Sequence, residues 1–228
     1  MNIILIGAGR GSRIMPYSKD SPKCFTEVNG KRILDYALDA FDKNEYKNIN
    51  FIGGYLIDVV QKQYPQFTFF HNDDWENNNI LASLFYAEDA MTNGFISSYS
   101  DILFVPEIIE KLKKSPHDIT LAIDTDWKNH YASRTQHPMD DGEKVLCNGN
   151  GILKVSRLIS NDDAYGEFIG IAKFSPKGAA QLKEFYYQAK KEFSGKPFKE
   201  AKEFKKAYFI HLLQYMIEKG VKIHKIDS

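Results

Sequence analysis

Cysteine is nearly absent: the 228-residue chain has two, Cys24 and Cys147, with no C-x-x-C spacing. That excludes a disulfide framework and a cysteine-based zinc site. No H-x-H or H-E-x-x-H pair supplies zinc ligands either. An excess of one charge is also missing, since thirty Lys and Arg stand against thirty Asp and Glu. No overall field therefore draws in nucleic acid or an anionic membrane. No apolar run approaches membrane-spanning length, and the N-terminus has no basic stretch followed by a cleavage pattern, so a cytoplasmic location is expected. Repeats and low-complexity segments do not occur. With 43% apolar residues the chain has the means to build a core, expected as one domain over residues 1–228, and its partner is expected to be small.

The most informative segment opens the chain. Ile3 to Ile6 form a branched apolar run, the pattern of a strand buried on both faces of a parallel sheet, and Gly7, Gly9 and Gly11 follow at once. Closely spaced glycines let the backbone approach a ligand and aim successive amides at phosphate oxygens. Two familiar glycine loops do not fit. A dinucleotide loop needs G-x-G-x-x-G opening directly into a helix, whereas Ser12 and Arg13 follow here and Pro16 interrupts. A P-loop needs G-x-x-x-x-G-K-[ST], and Gly30-Lys31 is followed by Arg32.

Beyond the loop, elements alternate. Ile33 to Asp42 carries a helical apolar stripe, Ile49 to Ile52 a strand ended by Gly53-Gly54-Tyr55, Ile57 to Tyr64 a helix stopped by Pro65, and Phe67 to Phe70 a strand. This order predicts a doubly wound α/β fold with a mainly parallel, mixed sheet, its ligands beyond the carboxyl ends of the strands. Ile80 to Ala90 reads as a helix behind the polar cluster Asn77, Asn78 and Asn79, one of which serves as its cap. Trp75 fits a core residue and a lid equally well. Later helices are expected over Glu107 to Lys114, Gly178 to Phe193 and Phe204 to Lys219, and strands over Ile119 to Ile123, Gly151 to Val155 and Glu167 to Phe174. The run from Asp124 to about residue 165 has neither period, yet packs Asp, His, Arg and aromatic residues together, so it is expected to be an arm that binds a substrate.

Ala8, Gly9, Gly11, Ser12 and Arg13, followed by Pro22-Lys23, Gly30-Lys31 and the helix start Leu34-Asp35-Tyr36, resemble the first motif of the nucleotidyltransferases of the sugar-phosphate and choline-phosphate type. That resemblance implies a Rossmann-like nucleotidyltransferase fold of the GT-A kind. It assigns nucleotide binding to Ala8, Gly9, Arg10, Gly11, Ser12, Gly54, Asn79 and Ser83, with Arg13 on the departing pyrophosphate and Lys23 on the α-phosphate. The residue types suit these roles, because a guanidinium fork grips phosphate oxygens bidentately and a compact ammonium meets charge at one phosphorus.

The stretch Phe95 to Asp101 is similar to the family strand that ends in a magnesium-binding aspartate, which makes Asp101 the expected ligand. In the arm, Arg134 and His137 would grip an anionic group, Asp124 or Glu143 would meet a cationic one, and Trp127, Tyr131 and Glu167 complete the expected acceptor site. The arm and the loop are most similar to phosphonate-pathway and phosphoglutamine-type cytidylyltransferases. The implied partners are CTP, Mg²⁺ and a small phosphate, phosphonate or phosphoramidate acceptor, and nothing in the pattern opposes a homodimer. A sugar-1-phosphate enzyme using UTP or dTTP, and a non-catalytic nucleotide-binding module, are the alternatives. Relatives place a second metal aspartate in a late E-I-D segment. Here either Asp227 fills that role or the ligand lies past Ser228, and strand length favours the second, making the chain a truncated one.

Overall fold

A computed structural model describes residues 1–11, 19–41, 48–132, 134 and 138–228. Ser12, Arg13 and His137 therefore lie outside the described residues. The centre is a nine-stranded sheet of β1 (Asn2–Gly7), β4 (Ile49–Gly53), β5 (Thr68–His71), β6 (Phe95–Tyr99), β7 (Ile119–Asp124), β8 (Lys144–Asn148), β9 (Gly151–Ser156), β10 (Gly166–Phe174) and β11 (His224–Asp227). A small ribbon of β2 (Glu27–Val28) and β3 (Lys31–Arg32) lies apart from it. The spatial order is β5-β4-β1-β6-β10-β7-β11-β9-β8. The first four strands run parallel, β10 runs antiparallel between β6 and β7, and β11 runs parallel to β7. The sheet is thus mixed, as the alternation of elements predicts.

The branched residues of β1 explain its central place. Ile4 and Ile6 face one apolar cluster, with α3 (Ile80–Phe85), α6 (Pro176–Phe193) and α7 (Phe209–Glu218). Ile3 and Leu5 face the other, with α1 (Ile33–Ala40), α2 (Ile57–Gln63) and α4 (Pro106–Lys114). A strand covered on both faces needs no polar side, and β1 has none. No helix among the described residues is long and apolar enough to cross a membrane.

Two helices are shorter than their apolar stripes predict. The helix starting at Ile80 gives way at Tyr86, where the bonds from Tyr86 and Ala87 back to Ser83 and Leu84 tighten to three-residue spacing, and a 3-10 turn over Glu88–Met91 follows. The tighter turn keeps Leu84, Ala87, Ala90 and Met91 all buried. The last helix begins at Phe209 rather than Phe204, because Tyr208 caps it, its backbone N–H donating to His211 Nδ1 at 3.1 Å. The arm also departs from expectation: it contains α5 (Trp127–Tyr131) and the hairpin β8–β9, whose strands finish the edge of the sheet. The polar residues that mask a period in the sequence are the outward-facing half of these short elements.

Between Phe168 and Ala172 the register of β10 against β7 shifts. Gly170 sits in that irregularity at φ 85°, and a Cβ there would fall 2.2 Å from a ring carbon of Tyr99. Strain and overpacking act together at this position. Gly170→Ala should cost about 2–4 kcal/mol and lower the melting temperature by roughly 5–15 °C, as thermal unfolding followed by circular dichroism would show. An unchanged Tm would mean that β10 can move away from Tyr99.

Candidate active site

At the carboxyl ends of β1 and β6 lies a cleft of about 410 Å³ lined by Ala8, Gly9, Gly11, Lys23, Trp75, Asn78, Asn79, Ser83, Tyr99, Asp101 and Tyr208, among others. The parallel register that sets Ile6 beside Tyr99, continued by the Ser100 N–H donating to the Ile6 carbonyl, brings Asp101 next to the glycine loop. Gly11 takes a left-handed φ of 68°, and a Cβ there would press on the side chain of Lys23 at 3.2 Å. Lys23 opens a 3-10 turn after Pro22 and forms an ion pair with Asp101 across the cleft. The two residues assigned to phosphate and metal chemistry thus face one another. For Asp101 to take a metal, Lys23 would have to leave it, and the Lys23 side chain is partly exposed.

Beside this pair Cys24 is buried, and burial first, with Asp101 second, pushes its thiol up to about 12. It is packing and not a nucleophile. No group of three His, Cys, Asp or Glu side chains among the described residues is arranged to cage a metal. A single carboxylate completed by ligand phosphates suits magnesium, and Asp101 offers that.

Asp227 stands elsewhere. Its carboxylate accepts hydrogen bonds from Lys225 Nζ at 2.7 and 2.9 Å and from the Tyr165 hydroxyl at 3.0 Å. β10 and β7 separate its strand from that of Asp101, a lateral gap of about 14 Å at the usual strand spacing. Of the two places expected for a second metal ligand, Asp227 and a residue past Ser228, Asp227 is thus set apart from Asp101 and already engaged by Lys225 and Tyr165.

The asparagine cluster divides its work. Asn79 caps α3, its side-chain oxygen accepting from the Ile80 N–H at 2.8 Å while its amide donates to the Lys206 carbonyl at 3.1 Å. Its capping role is filled, although it and Ser83 both line the cleft. Asn72 and Asn78 exchange two amide hydrogen bonds, of 2.9 and 2.8 Å, and Asn72 also donates to Ser83 Oγ at 2.8 Å. Gly54 does not line the cleft; a Cβ there would meet Trp75 at 2.7 Å and the Ala8 carbonyl at 2.8 Å. It makes room for Trp75 instead of approaching a ligand itself. Arg10 is exposed, with its guanidinium 5.4 Å from the Tyr55 ring.

Next to the cleft, β10 gathers most of the acceptor residues named above. The Tyr99 hydroxyl donates to Glu143 at 3.1 Å, and the Tyr131 hydroxyl donates to Glu167 at 2.7 Å. Phe168 N–H holds the Glu143 carbonyl at 2.8 Å, and Glu167 pairs with Asp124 in the sheet. Asp124 is engaged by His130 Nδ1 at 2.7 Å. Arg134 is exposed and lies 4.3 Å from the Tyr131 ring. Trp127 is a correction: it is 1% exposed and packs edge-on against Tyr131, so it supports the arm from within and touches no acceptor. Tyr99, Tyr208 and Asn78 were not legible as site residues. Tyr208 carries no local motif; its cap bond to His211 and the Arg157 guanidinium 4.8 Å from its ring help to fix it at the cleft.

No protein-family model matches the chain. It is 29% identical over 240 aligned positions to the CTP:phosphoglutamine cytidylyltransferase of Campylobacter jejuni, covering all of this chain and 93% of that protein. The 2-aminoethylphosphonate cytidylyltransferase of Lancefieldella rimae is 25% identical over 196 positions, covering 84% of this chain and 74% of that one. Among solved structures, the inositol-1-phosphate CTP transferase from T. maritima superposes with a TM-score of 0.74 at 22% identity, over 99% of this chain and 84% of its own.

Burial pushes Glu143 from 4.5 up to about 7, against the lowering effect of the Tyr99 hydrogen bond and Arg157. Its folded carboxyl therefore holds a proton that the unfolded chain releases near 4.5. Between those values the folded state binds more protons, so this group's contribution to stability falls as pH rises. Glu143→Gln should be more stable than the parent at pH 8 by about 1–3 kcal/mol and should lose that advantage at pH 4.5. Chemical denaturation at the two pH values tests it; equal gains at both would place the effect in packing.

Proposed function

We propose that the chain is a nucleotidyltransferase of the cytidylyltransferase type, which joins CMP from CTP to a small phosphate, phosphonate or phosphoramidate acceptor and releases pyrophosphate. What carries the reading is the Lys23–Asp101 pair set against the open glycine loop. The loop amides at Ala8, Gly9 and Gly11 would receive the triphosphate. Arg13, outside the described residues, is assigned to the leaving pyrophosphate by its motif alone. Mg²⁺ would be held by Asp101 and the nucleotide phosphates, where it neutralises charge on the α-phosphate.

Lys23 then leaves Asp101 and meets an oxygen of the α-phosphoryl group. The acceptor oxyanion attacks the α-phosphorus, a new P–O bond forms, and the bond to the bridging oxygen of pyrophosphate breaks. An acceptor that is already an anion at neutral pH needs no general base, so the work lies in alignment and charge neutralisation. Glu143 and Glu167, each bonded to a tyrosine hydroxyl, would read the polar, ammonium or amide end of the acceptor, with Arg134 on its anionic group. Free Cys24 and Cys147 and a nucleoside triphosphate substrate both suit the reducing cytoplasm.

Pyrophosphate release should be measured over CTP, UTP and dTTP against phosphocholine, 2-aminoethylphosphonate, a phosphoglutamine-type compound and glucose 1-phosphate. Turnover is expected with CTP and one of the first three; faster turnover with UTP or dTTP and glucose 1-phosphate would overturn the reading in favour of a sugar nucleotidyltransferase. In the active combination, Lys23→Ala should lower kcat by about a hundredfold without changing Tm. Arg134→Ala should raise the acceptor KM by roughly tenfold and leave the KM for CTP near its parent value. Equal losses for both substrates would make Arg134 a support of the arm.

A further inference from the structure

We infer that Trp75 is the platform on which the base of the nucleotide stacks, an inference that rests on the CTP reading. Among the described residues, three aromatic side chains line the cleft: Trp75, Tyr99 and Tyr208. The two tyrosines are engaged on the side of the arm, Tyr99 through its bond to Glu143 and Tyr208 beneath Arg157. Trp75 lies at the other side, against Gly54 and the Ala8 carbonyl where the glycine loop begins. With the phosphates on that loop and the α-phosphorus between Lys23 and Asp101, the nucleoside extends into the remainder of the cleft, which Trp75 borders.

Trp75 is neither a core residue nor a hinged lid. It is half-buried, where Trp127 is fully buried, it belongs to neither apolar cluster, and its indole N–H has no protein hydrogen-bond partner among the described residues. Its loop is stitched shut on both sides: Asp74 N–H donates to Asn72 Oδ1 at 3.2 Å, Asn77 and Asn78 N–H donate to the Asp74 carbonyl at 2.9 and 3.1 Å, and the reciprocal Asn72–Asn78 pair closes the base. The Tyr55 ring meets the indole at 5.4 Å and 58°, and the Arg10 guanidinium lies 5.4 Å from the centre of that ring. A rigid aromatic face that no protein group covers fully is what a stacked base requires, and the glycine at position 54 is the cost of seating it there. Stacking accepts any base, so Trp75 contributes affinity and not the choice of cytosine.

The chain has two tryptophans, so Trp127→Phe leaves Trp75 as the sole reporter. CTP and CMP should change its emission in a saturable way, whereas inorganic triphosphate should bind without doing so. Trp75→Ala should weaken CTP by roughly five- to a hundredfold by calorimetry, with triphosphate affinity unchanged, and Trp75→Phe should recover most of the loss. If Trp127→Phe fails to fold, the difference between parent and Trp75→Phe spectra gives the same readout. CTP binding with no change at Trp75 and with a Trp75→Ala affinity within twofold of the parent would overturn the inference while the CTP reading stands. Equal weakening of CTP and triphosphate would also overturn it, making Trp75 a prop of the loop. A parent protein that binds no CTP would remove both readings together.

Discussion

The parallel pairing of β1 with β6 is the constraint on which the site depends. It fixes Ile6 opposite Tyr99 and delivers the glycine loop and Asp101 to the same edge of the sheet at adjacent strands. Everything else at the cleft is referred to that pair of strand ends. β4 on the other side of β1 ties in through the Tyr55 N–H, which donates to the Ala8 carbonyl at 3.0 Å, and through Gly53, whose carbonyl accepts from Asn72. One ladder thus carries the loop that would hold phosphate, the carboxylate that would hold metal, and the turn that seats Trp75. A slip of one residue would exchange the two faces of β1, moving Ile4 and Ile6 into the cluster that holds Ile3 and Leu5, and the packing of both clusters opposes it.

The other half of the sheet is built by a different rule. β10 runs against its neighbours, and its shifted register at Gly170 gives Tyr99 space to turn its hydroxyl toward Glu143. This is where the nucleotide cleft and the arm meet. Tyr99 belongs to the strand that ends at Asp101, while Glu143 and Glu167 belong to the arm and to the strand returning from it. A phenol is held well away from ionisation here, chiefly by burial and then by Glu143, so Tyr99 is a donor at every physiological pH. It links the two substrate regions through a single hydrogen bond whose direction is fixed.

The fold and the nucleotide side were legible because their signals are local. Branched runs, glycine spacing and strand-helix alternation sit within windows of a few residues, and β1, β4, β5, β6, β7 and the loop follow from them. The acceptor side was only partly legible. Glu143 and Glu167 carry no spacing rule that pairs them with Tyr99 and Tyr131, since those partners are brought together by a hairpin and an antiparallel return across 44 and 36 residues. Trp127 and Trp75 show the same limit in opposite directions. Composition marks both as large aromatics in polar surroundings, and only packing reveals that Trp127 fills the core while Trp75 borders the cleft. The resemblance leaves the late aspartate open between Asp227 and a residue past Ser228, and only the structure shows that Lys225, two residues away on the same face of the strand, engages the Asp227 carboxylate.

The Lys23–Asp101 pair also says how the empty site is kept sound. Each group is chosen for a partner that arrives with substrate, and each would otherwise face an uncompensated charge at the edge of a partly desolvated cleft. Pairing them removes that cost, but only loosely, because both side chains remain partly exposed and such a pair is worth little. A stronger, buried pair would have stabilised the fold more and resisted the arrival of the nucleotide. On the proposed reading, the weak pair would hold lysine and carboxylate where the reacting phosphorus is to sit and would let both go when a triphosphate with its metal offers each a better partner, so that one interaction would serve the resting protein and prepare the working one.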